Sequence, residues 1–572
     1  MAARADAIVT AAMRPDLFSG LGVISLSRTI VFATLAFLVL AGFAFRSNNL
    51  SVEGLSEDEL NKLNAVADYR QNGLTSANGE HPLLMKALQT ASLYVAEKWN
   101  NTSVGSNPGW TIAPETALRL PSTIFGAATS ILIFILVAEL FGAEVGLIAA
   151  ALWTFDPSAI GFNRIAKEDT FLLFFFLLAN IFWLRSQRVA ESESPKKAQR
   201  YYWATAAAFG AMLASKYLPQ LIAITISYYW LFQNIPQTQW RLGKTRMLKF
   251  FFVMGIVFVA VNPTILLPAT WRQMGQFAGQ KLVGHDGYEF MGQLYTHRMT
   301  DWLNGIPWYF YHLFVLVKLP VLTLAGFLIG LPLLFRRKLG DGRYFILLWL
   351  FIWMMTFSFA GGKFTRYMTV VLPAIFITSA IGIQATGRWI SEKLAAVLSQ
   401  PGIKPYIGTG VALVVIAFSV LASAQISPHF RLYTNVLGGG AEKAGYYFPH
   451  DEFYDAGLKD AVYEIAKHSG TGARVASETP GLAAYYAGRA GRADLVNVSL
   501  SNPTSVNQLR EGDYIIDARG RRYFSNDKLV TALKSSVTPV ARLSLESIPS
   551  VEIYRVDERL LAVVSGRLSV VR

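Results

Sequence analysis

The chain has 572 residues, of which 53% are hydrophobic and only 16% charged. Charged residues make up about a quarter of an ordinary soluble domain, so this composition argues against a water-soluble enzyme and points to lipid. The absence of cysteine excludes disulfide frameworks, zinc–thiolate sites and cysteine nucleophiles. The net charge of +14 is carried in short basic segments between apolar runs, which is the pattern of cytoplasmic loops and not of a nucleic-acid surface.

Residues Met1 to Ser27 are polar and mixed, and the first apolar run, Ile30 to Phe45, is long for a signal peptide and lacks a small-residue cleavage site. It reads as an uncleaved first helix behind a cytoplasmic N-terminus, 1–28. A span needs roughly 20 mostly apolar residues. The segments that qualify, some of them short, are 29–47, 118–140, 143–162, 166–185, 201–216, 217–232, 249–266, 318–335, 343–361, 366–386 and 406–425. Basic clusters then order them. Arg185, Arg188, Lys196, Lys197 and Arg200 form one; Arg241, Lys244, Arg246 and Lys249 a second; Arg336, Arg337, Lys338 and Arg343 a third; Arg388, Lys393 and Lys404 a fourth. All four fall on the side of the N-terminus, which the positive-inside rule makes the cytoplasm. The long loops 48–117 and 267–305 then lie outside, as does everything after 425. That tail turns polar, with a helical pattern at Phe453–Lys467 and short β-like runs at Ala473–Ser477, Tyr514–Asp517 and Val551–Val556. The expected fold is a polytopic α-helical membrane protein of about 11 transmembrane helices, 29–425, followed by a small extracytoplasmic α/β domain, 426–572.

Ionisable residues at span ends are costly and invite a functional reading. Glu57, Asp58 and Glu59 follow the first span. His81-Pro82 precedes an amphipathic stretch from Leu83 to Trp99. Arg164, Lys167, Glu168 and Asp169 lie between the third and fourth spans, Lys216-Tyr217 between the fifth and sixth, and Lys363, Arg366 and Tyr367 between the ninth and tenth. The topology brings all of them to one outer boundary. Taken singly each has a plainer reading: a solvated acidic loop, snorkelling cations, a turn-shaping histidine. Asp156-Pro157 reads as a helix end, and His285, Asp286 and His297 as a surface loop whose loose spacing suits a metal poorly. Together they offer a carboxylate base for an acceptor proton and cations for a departing phosphate.

This pattern resembles the GT-C glycosyltransferases, specifically the dolichyl-phosphate-mannose protein mannosyltransferases and their bacterial relatives, including lipid A aminoarabinose transferase. The resemblance rests on Asp58-Glu59, His81-Pro82-Leu83, the Leu118–Ser122 segment LRLPS, the run Arg164–Asp169, Lys216, Pro307–Tyr311 with Lys318-Leu-Pro320, and Lys363, Arg366, Tyr367, Leu372 and Pro373. It covers roughly residues 25–425. His81 departs from the lysine or proline frequent in relatives. The resemblance implies inverting transfer of a monosaccharide from a polyprenyl-phosphate donor to a protein, lipid or glycan acceptor at the outer face of the plasma (inner) membrane. It implies Asp58 as leading base, with Glu59 and Asp169 as helpers or rivals. Lys216, Lys363 and Arg366 would hold the phosphate, with His81, Arg164 and Tyr367 at the donor site. The scheme requires no metal and no cofactor, and no Asp-x-Asp motif occurs. Two alternatives stay open: a transporter or flippase, which would carry repeats, broken helices and mid-bilayer charges, and a non-catalytic subunit that keeps the fold and binds through its tail.

Overall fold

The computed structural model describes residues 28–192, 195–233, 244–280, 282–399, 402 and 404–564. Most of the expected cytoplasmic N-terminus, the basic loop position Arg241 and the last residues of the tail lie outside them.

Each of the apolar segments is helical. Among the described residues five helices are long and apolar enough to cross a membrane: Arg28–Ser47, Pro114–Phe141, Asp169–Val189, Gly342–Phe359 and Lys404–Ile426. A sixth candidate is a bent pair, Ala143–Phe155 and Pro157–Asn163, with 62° between its halves. The break has a local cause. Pro157 cannot donate to the first helix, while the Asp156 carboxylate accepts the Ala159 N–H at 2.9 Å and caps the second. The Asp156-Pro157 pair thus ends one helix, as expected, and starts another. The remaining apolar segments form helices that are shorter or more polar, among them Pro195–Ser215, Val321–Leu333 and Leu372–Val397.

Large apolar side chains on the outside of these helices mark the lipid-facing surface: Leu40 is 69% exposed and Phe252 likewise 69%. Inside, packing relies on small residues, since lipid supplies no hydrophobic drive between helices. Gly326 and Gly330 face Gly382, and a Cβ on Gly330 would overlap the Thr378 carbonyl. The two backbones therefore touch.

The tail builds a five-stranded sheet. Its strands are β3 (Arg474–Ser477), β4 (Val496–Ser499), β5 (Tyr514–Ala518), β6 (Ala541–Leu545) and β7 (Ile548–Arg555), in the order β4-β3-β5-β7-β6. β3 pairs in parallel with β4 and β5, while β7 runs antiparallel to β5, with Ile516 opposite Ile553. β1 (Leu282–Phe290) and β2 (Gln293–Arg298) form an antiparallel hairpin within the second long loop.

The sheet does not stand alone. Its helices Leu458–His468 and Pro480–Arg489 bury Leu458, Val462, Ile465 and Tyr486 against Leu55, Leu60, Val66 and Leu93 of the first long loop, in one core. The Leu55 N–H donates to the Tyr486 hydroxyl, which donates to Glu115 at 3.0 Å. The first loop, the hairpin and the tail thus cap the same end of the helix bundle, and that end holds the candidate site.

Candidate active site

The helix Glu57–Asn72 opens with a capping box. The Ser56 hydroxyl accepts the Glu59 N–H at 3.3 Å, and the Glu59 carboxylate accepts the Ser56 N–H at 2.9 Å. Three carboxylates in the first turn suit the positive end of the helix dipole. The helical turn then sends neighbours in different directions. Glu59 is fully buried and takes Arg119 Nε at 2.8 Å, Arg119 Nη2 at 2.6 Å and the Ala166 N–H at 2.8 Å. Burial alone would raise its carboxyl, but Arg119 and the Ala166 and Ser56 N–H groups together hold it below the usual range. Expected as a helper or rival base, Glu59 instead fastens the first loop to the start of the helix Pro114–Phe141 and to the turn at 164–168. It does not line the cavity.

Asp58 does. Its side chain is 38% exposed, forms an ion pair with Lys167, accepts the Tyr454 hydroxyl at 2.8 Å and stands 3.9 Å from Arg366 Nη2. Burial pushes its carboxyl up, and Lys167, Arg366 and Lys62 more than reverse that, holding it well below the ordinary range. Beside it, Lys62 Nζ and His81 Nδ1 approach Glu168 Oε1 at 3.2 and 3.5 Å. Burial drives the His81 imidazole down to about 3, despite Glu168, so it is neutral at physiological pH.

Lys216, at the end of the helix Pro195–Ser215, reaches Asp169 Oδ1 at 2.6 Å and lies 4.6 Å above the Tyr367 ring. The Arg366 guanidinium rests 3.7 Å from the Phe364 ring centroid, between Asp58 and Asp451. Asp58, His81, Lys216, Arg366 and Tyr367 line one cavity of about 410 Å³, together with Lys167 and Glu168. Asp169 stands behind Lys216, and its second oxygen is buried without a hydrogen-bond partner among the described residues.

Two expected site cations are elsewhere. Arg164 is buried and donates to the carbonyls of Arg46, Asn48 and Asn49 at 3.0, 2.6 and 3.2 Å, which ties off the end of the first helix. Lys363 is fully buried and spends its ammonium on the Ile306 and Ala360 carbonyls. Both serve the backbone and neither lines the cavity.

The tail and the hairpin complete the wall, which the sequence reading did not anticipate. His450, Tyr454, Arg521 and His285 all face the cavity. Arg521 is held by Asp455 at 2.6 Å and meets Glu57 at 3.2 Å and His285 Nε2 at 2.9 Å, while His285 stacks on Tyr523 at 4.1 Å between centroids. For His450 and Tyr454 the one local cue is the mixing of ionisable and aromatic residues in the run Phe448-Pro-His-Asp-Glu-Phe-Tyr-Asp455, which does not say what that run faces. His285, Asp286 and His297 do not converge. Asp286 accepts the Ser525 N–H at 2.9 Å, and His297 is buried against the Lys363 backbone. Among the described residues no group of three His, Asp or Glu side chains could share a metal ion.

An apolar groove of about 600 Å³ adjoins the polar cavity. Leu213, Phe258, Val259, Ile265 and Leu266 line it, and Tyr217 and Met274 belong to both. Met274 comes from the loop helix Pro268–Gln280, whose Phe277 and Ala278 also border the cavity. A polar chamber thus opens beside an apolar channel, which is the shape an amphiphile with a charged head requires.

Residues 111–266 match the family model of the dolichyl-phosphate-mannose-protein mannosyltransferases. No curated protein sequence matches the chain. Among solved structures, ArnT from Cupriavidus metallidurans in the apo state is 12% identical over 94% of this chain and 99% of its own, with a TM-score of 0.50. The oligosaccharyltransferase AglB from Archaeoglobus fulgidus, in complex with an inhibitory peptide and a dolichol-phosphate, is 10% identical over 86% of this chain and 70% of its own, with a TM-score of 0.52. At such identities the likeness is one of fold. The chain is a membrane protein of the GT-C glycosyltransferase fold, and within it residues 111–266 are similar to the dolichyl-phosphate-mannose-protein mannosyltransferases.

Proposed function

We propose that the chain is a glycosyltransferase that moves a monosaccharide from a polyprenyl-phosphate donor to a hydroxyl or amine of a protein, lipid or glycan acceptor, with inversion at the sugar carbon. The observation that carries this reading is the junction of the cation-lined cavity with the apolar groove at Tyr217 and Met274. The prenyl chain would lie in the groove and the phosphate among Lys167, Lys216 and Arg366. The acceptor attacks the anomeric carbon opposite the phosphate, the bond from that carbon to the phosphate oxygen breaks, and its electron pair leaves with the phosphate. Asp58 receives the acceptor proton. The three cations, with Tyr367 beside Lys216, stabilise the charge that grows on the leaving group. Tyr454 holds the Asp58 carboxylate in place. Asp169 orients Lys216, and His81 borders the donor through Glu168. Glu59, Arg164 and Lys363 keep structural duties in this scheme.

The dolichol-phosphate in the AglB structure is a molecule of the proposed donor's kind, and its bound peptide is one of the acceptor classes considered. The basic clusters at the opposite helix ends support an orientation with the site on the outer face of the inner membrane, the N-terminus cytoplasmic and the tail outside. Retention of both a partly exposed carboxylate and three cations argues against a purely binding subunit. The test is transfer from a polyprenyl-phosphate monosaccharide by Asp58→Asn and Arg366→Ala proteins that insert normally. Loss in both supports the assignment, and full activity in both removes it.

A further inference from the structure

From behind the cavity wall, the tail reaches the cavity-lining Arg366 through Asp451. This carboxylate is 3% exposed. Its Oδ2 accepts the Thr365 N–H at 2.8 Å and the Tyr288 hydroxyl at 2.6 Å, so it is fixed from two sides. Its Oδ1 lies 3.5 Å from Arg366 Nη1, while Arg366 Nη2 lies 3.9 Å from Asp58 Oδ2. Neither distance is that of a closed bidentate pair. The guanidinium is divided between two carboxylates from sequence-distant elements, with its flat face on Phe364.

We infer that Asp451 is a positioning residue that holds Arg366 away from Asp58, leaving the guanidinium open to a phosphate and sparing the carboxylate a second direct cation beside Lys167. The inference rests on the reading of Asp58 as base and Arg366 as phosphate ligand. Without the pull of Asp451, Arg366 would close on Asp58 as a direct pair. A cation brought from 3.9 Å to hydrogen-bond distance lowers a carboxylate by about one pH unit at the effective dielectric of a protein site. The base would then be weaker and the phosphate would lose a ligand. The other charged and titratable groups facing these three are Lys167, Lys62, Glu57, His81 and Tyr454 around Asp58, Lys167, Tyr367, Tyr454, His297 and His450 around Arg366, and Tyr288, Tyr311 and Tyr367 around Asp451. Burial raises the Asp451 carboxyl, with Arg366 opposing, so its hold weakens on acidification before Asp58 is protonated.

The experiment uses the full chain with Asp451→Asn, which keeps an acceptor for Thr365 and Tyr288, removes the charge and leaves no acceptor facing Arg366. Three quantities are read: transfer rate against pH from a polyprenyl-phosphate monosaccharide, affinity for the polyprenyl phosphate alone, and thermal unfolding. The expected result is a kcat about tenfold lower, an acid limb moved down by about one pH unit, weaker phosphate binding and an unchanged unfolding midpoint, with partial recovery in Asp451→Glu. An acid limb that stays in place overturns the inference, as does a rate loss that merely tracks loss of folded protein. If Asp451→Asn does not fold, Tyr288→Phe loosens the same carboxylate and is expected to move the limb in the same direction by less; an unmoved limb there also overturns it. A wild type that is active and abolished by Asp58→Asn, beside a normal Asp451→Asn, sinks this inference alone. A wild type that neither binds the lipid nor turns it over sinks the functional reading and this inference with it.

Discussion

Two sets of buried charge lie within a few residues of one another at the same end of the bundle, and they are used differently. In one set, Glu59 is closed around Arg119, Arg164 is spent on carbonyls of the first helix end, and Lys363 is spent on two more carbonyls. In the other, Asp58, Lys167, Lys216 and Arg366 pair across a cavity and keep a face toward it. The residue types are the same, so the type of charge does not separate function from architecture. What separates them is whether the partner is a backbone carbonyl or fully buried counter-ion, which exhausts the group, or a neighbour beside open volume, which leaves it available.

That contrast can be broken by substitution. The largest effect on activity is expected for Asp58→Asn, which should cut transfer by a factor of about 10²–10⁴ with the protein still folded, measured as turnover beside thermal unfolding. The largest effect on stability is expected for Arg119→Ala, which leaves a fully buried Glu59 unpaired; a loss of about 3–5 kcal/mol should appear as poor yield and a lowered unfolding midpoint. If Arg119→Ala were stable and merely inactive, the division between the two sets would fail. Next comes Lys216→Ala, expected to weaken polyprenyl-phosphate binding at least tenfold, against Lys363→Met, expected to leave binding of folded protein near normal. The smallest effect is a pH dependence. Burial, outweighing Asp58, brings the Lys167 ammonium in the 164–168 loop down to about 8. Lys167 is therefore charged below that pH and neutral above it. Donor kcat/KM should fall as pH rises through about 8, and Lys167→Arg should move that limb upward.

Much of the fold was legible because spans announce themselves by length and apolarity. Every apolar segment recovered a helix, although only some have the length and composition to span unaided. In the tail the β-like runs at Ala473–Ser477, Tyr514–Asp517 and Val551–Val556 correspond to β3, β5 and β7. The helix expected at Phe453–Lys467 starts only at Leu458, because Tyr454 and Asp455 adopt positive φ and Gly457 follows. β4 and β6 escaped notice because they are short and half-exposed, and the hairpin because its glycines and charges hide the alternation.

Of the site, the gathering of Asp58, His81, Lys216, Arg366 and Tyr367 at one depth could be read from topology. The exclusion of Glu59, Arg164 and Lys363 could not. A capping box turns Glu59 inward by one helical step from Asp58, and carbonyl acceptors carry no sequence signature. The contributions of Asp451, Tyr454 and Arg521 were hidden for a different reason. They depend on how the tail folds back over the first loop, and that long-range contact is invisible to local pattern.

The most direct measurement is mass spectrometry of the lipid that co-purifies with the full chain, compared with the Lys216→Ala/Arg366→Ala double variant. A polyprenyl phosphate or its monosaccharide is expected on the wild type and its loss from the variant. No polyprenyl species, or equal amounts on both proteins, would contradict it.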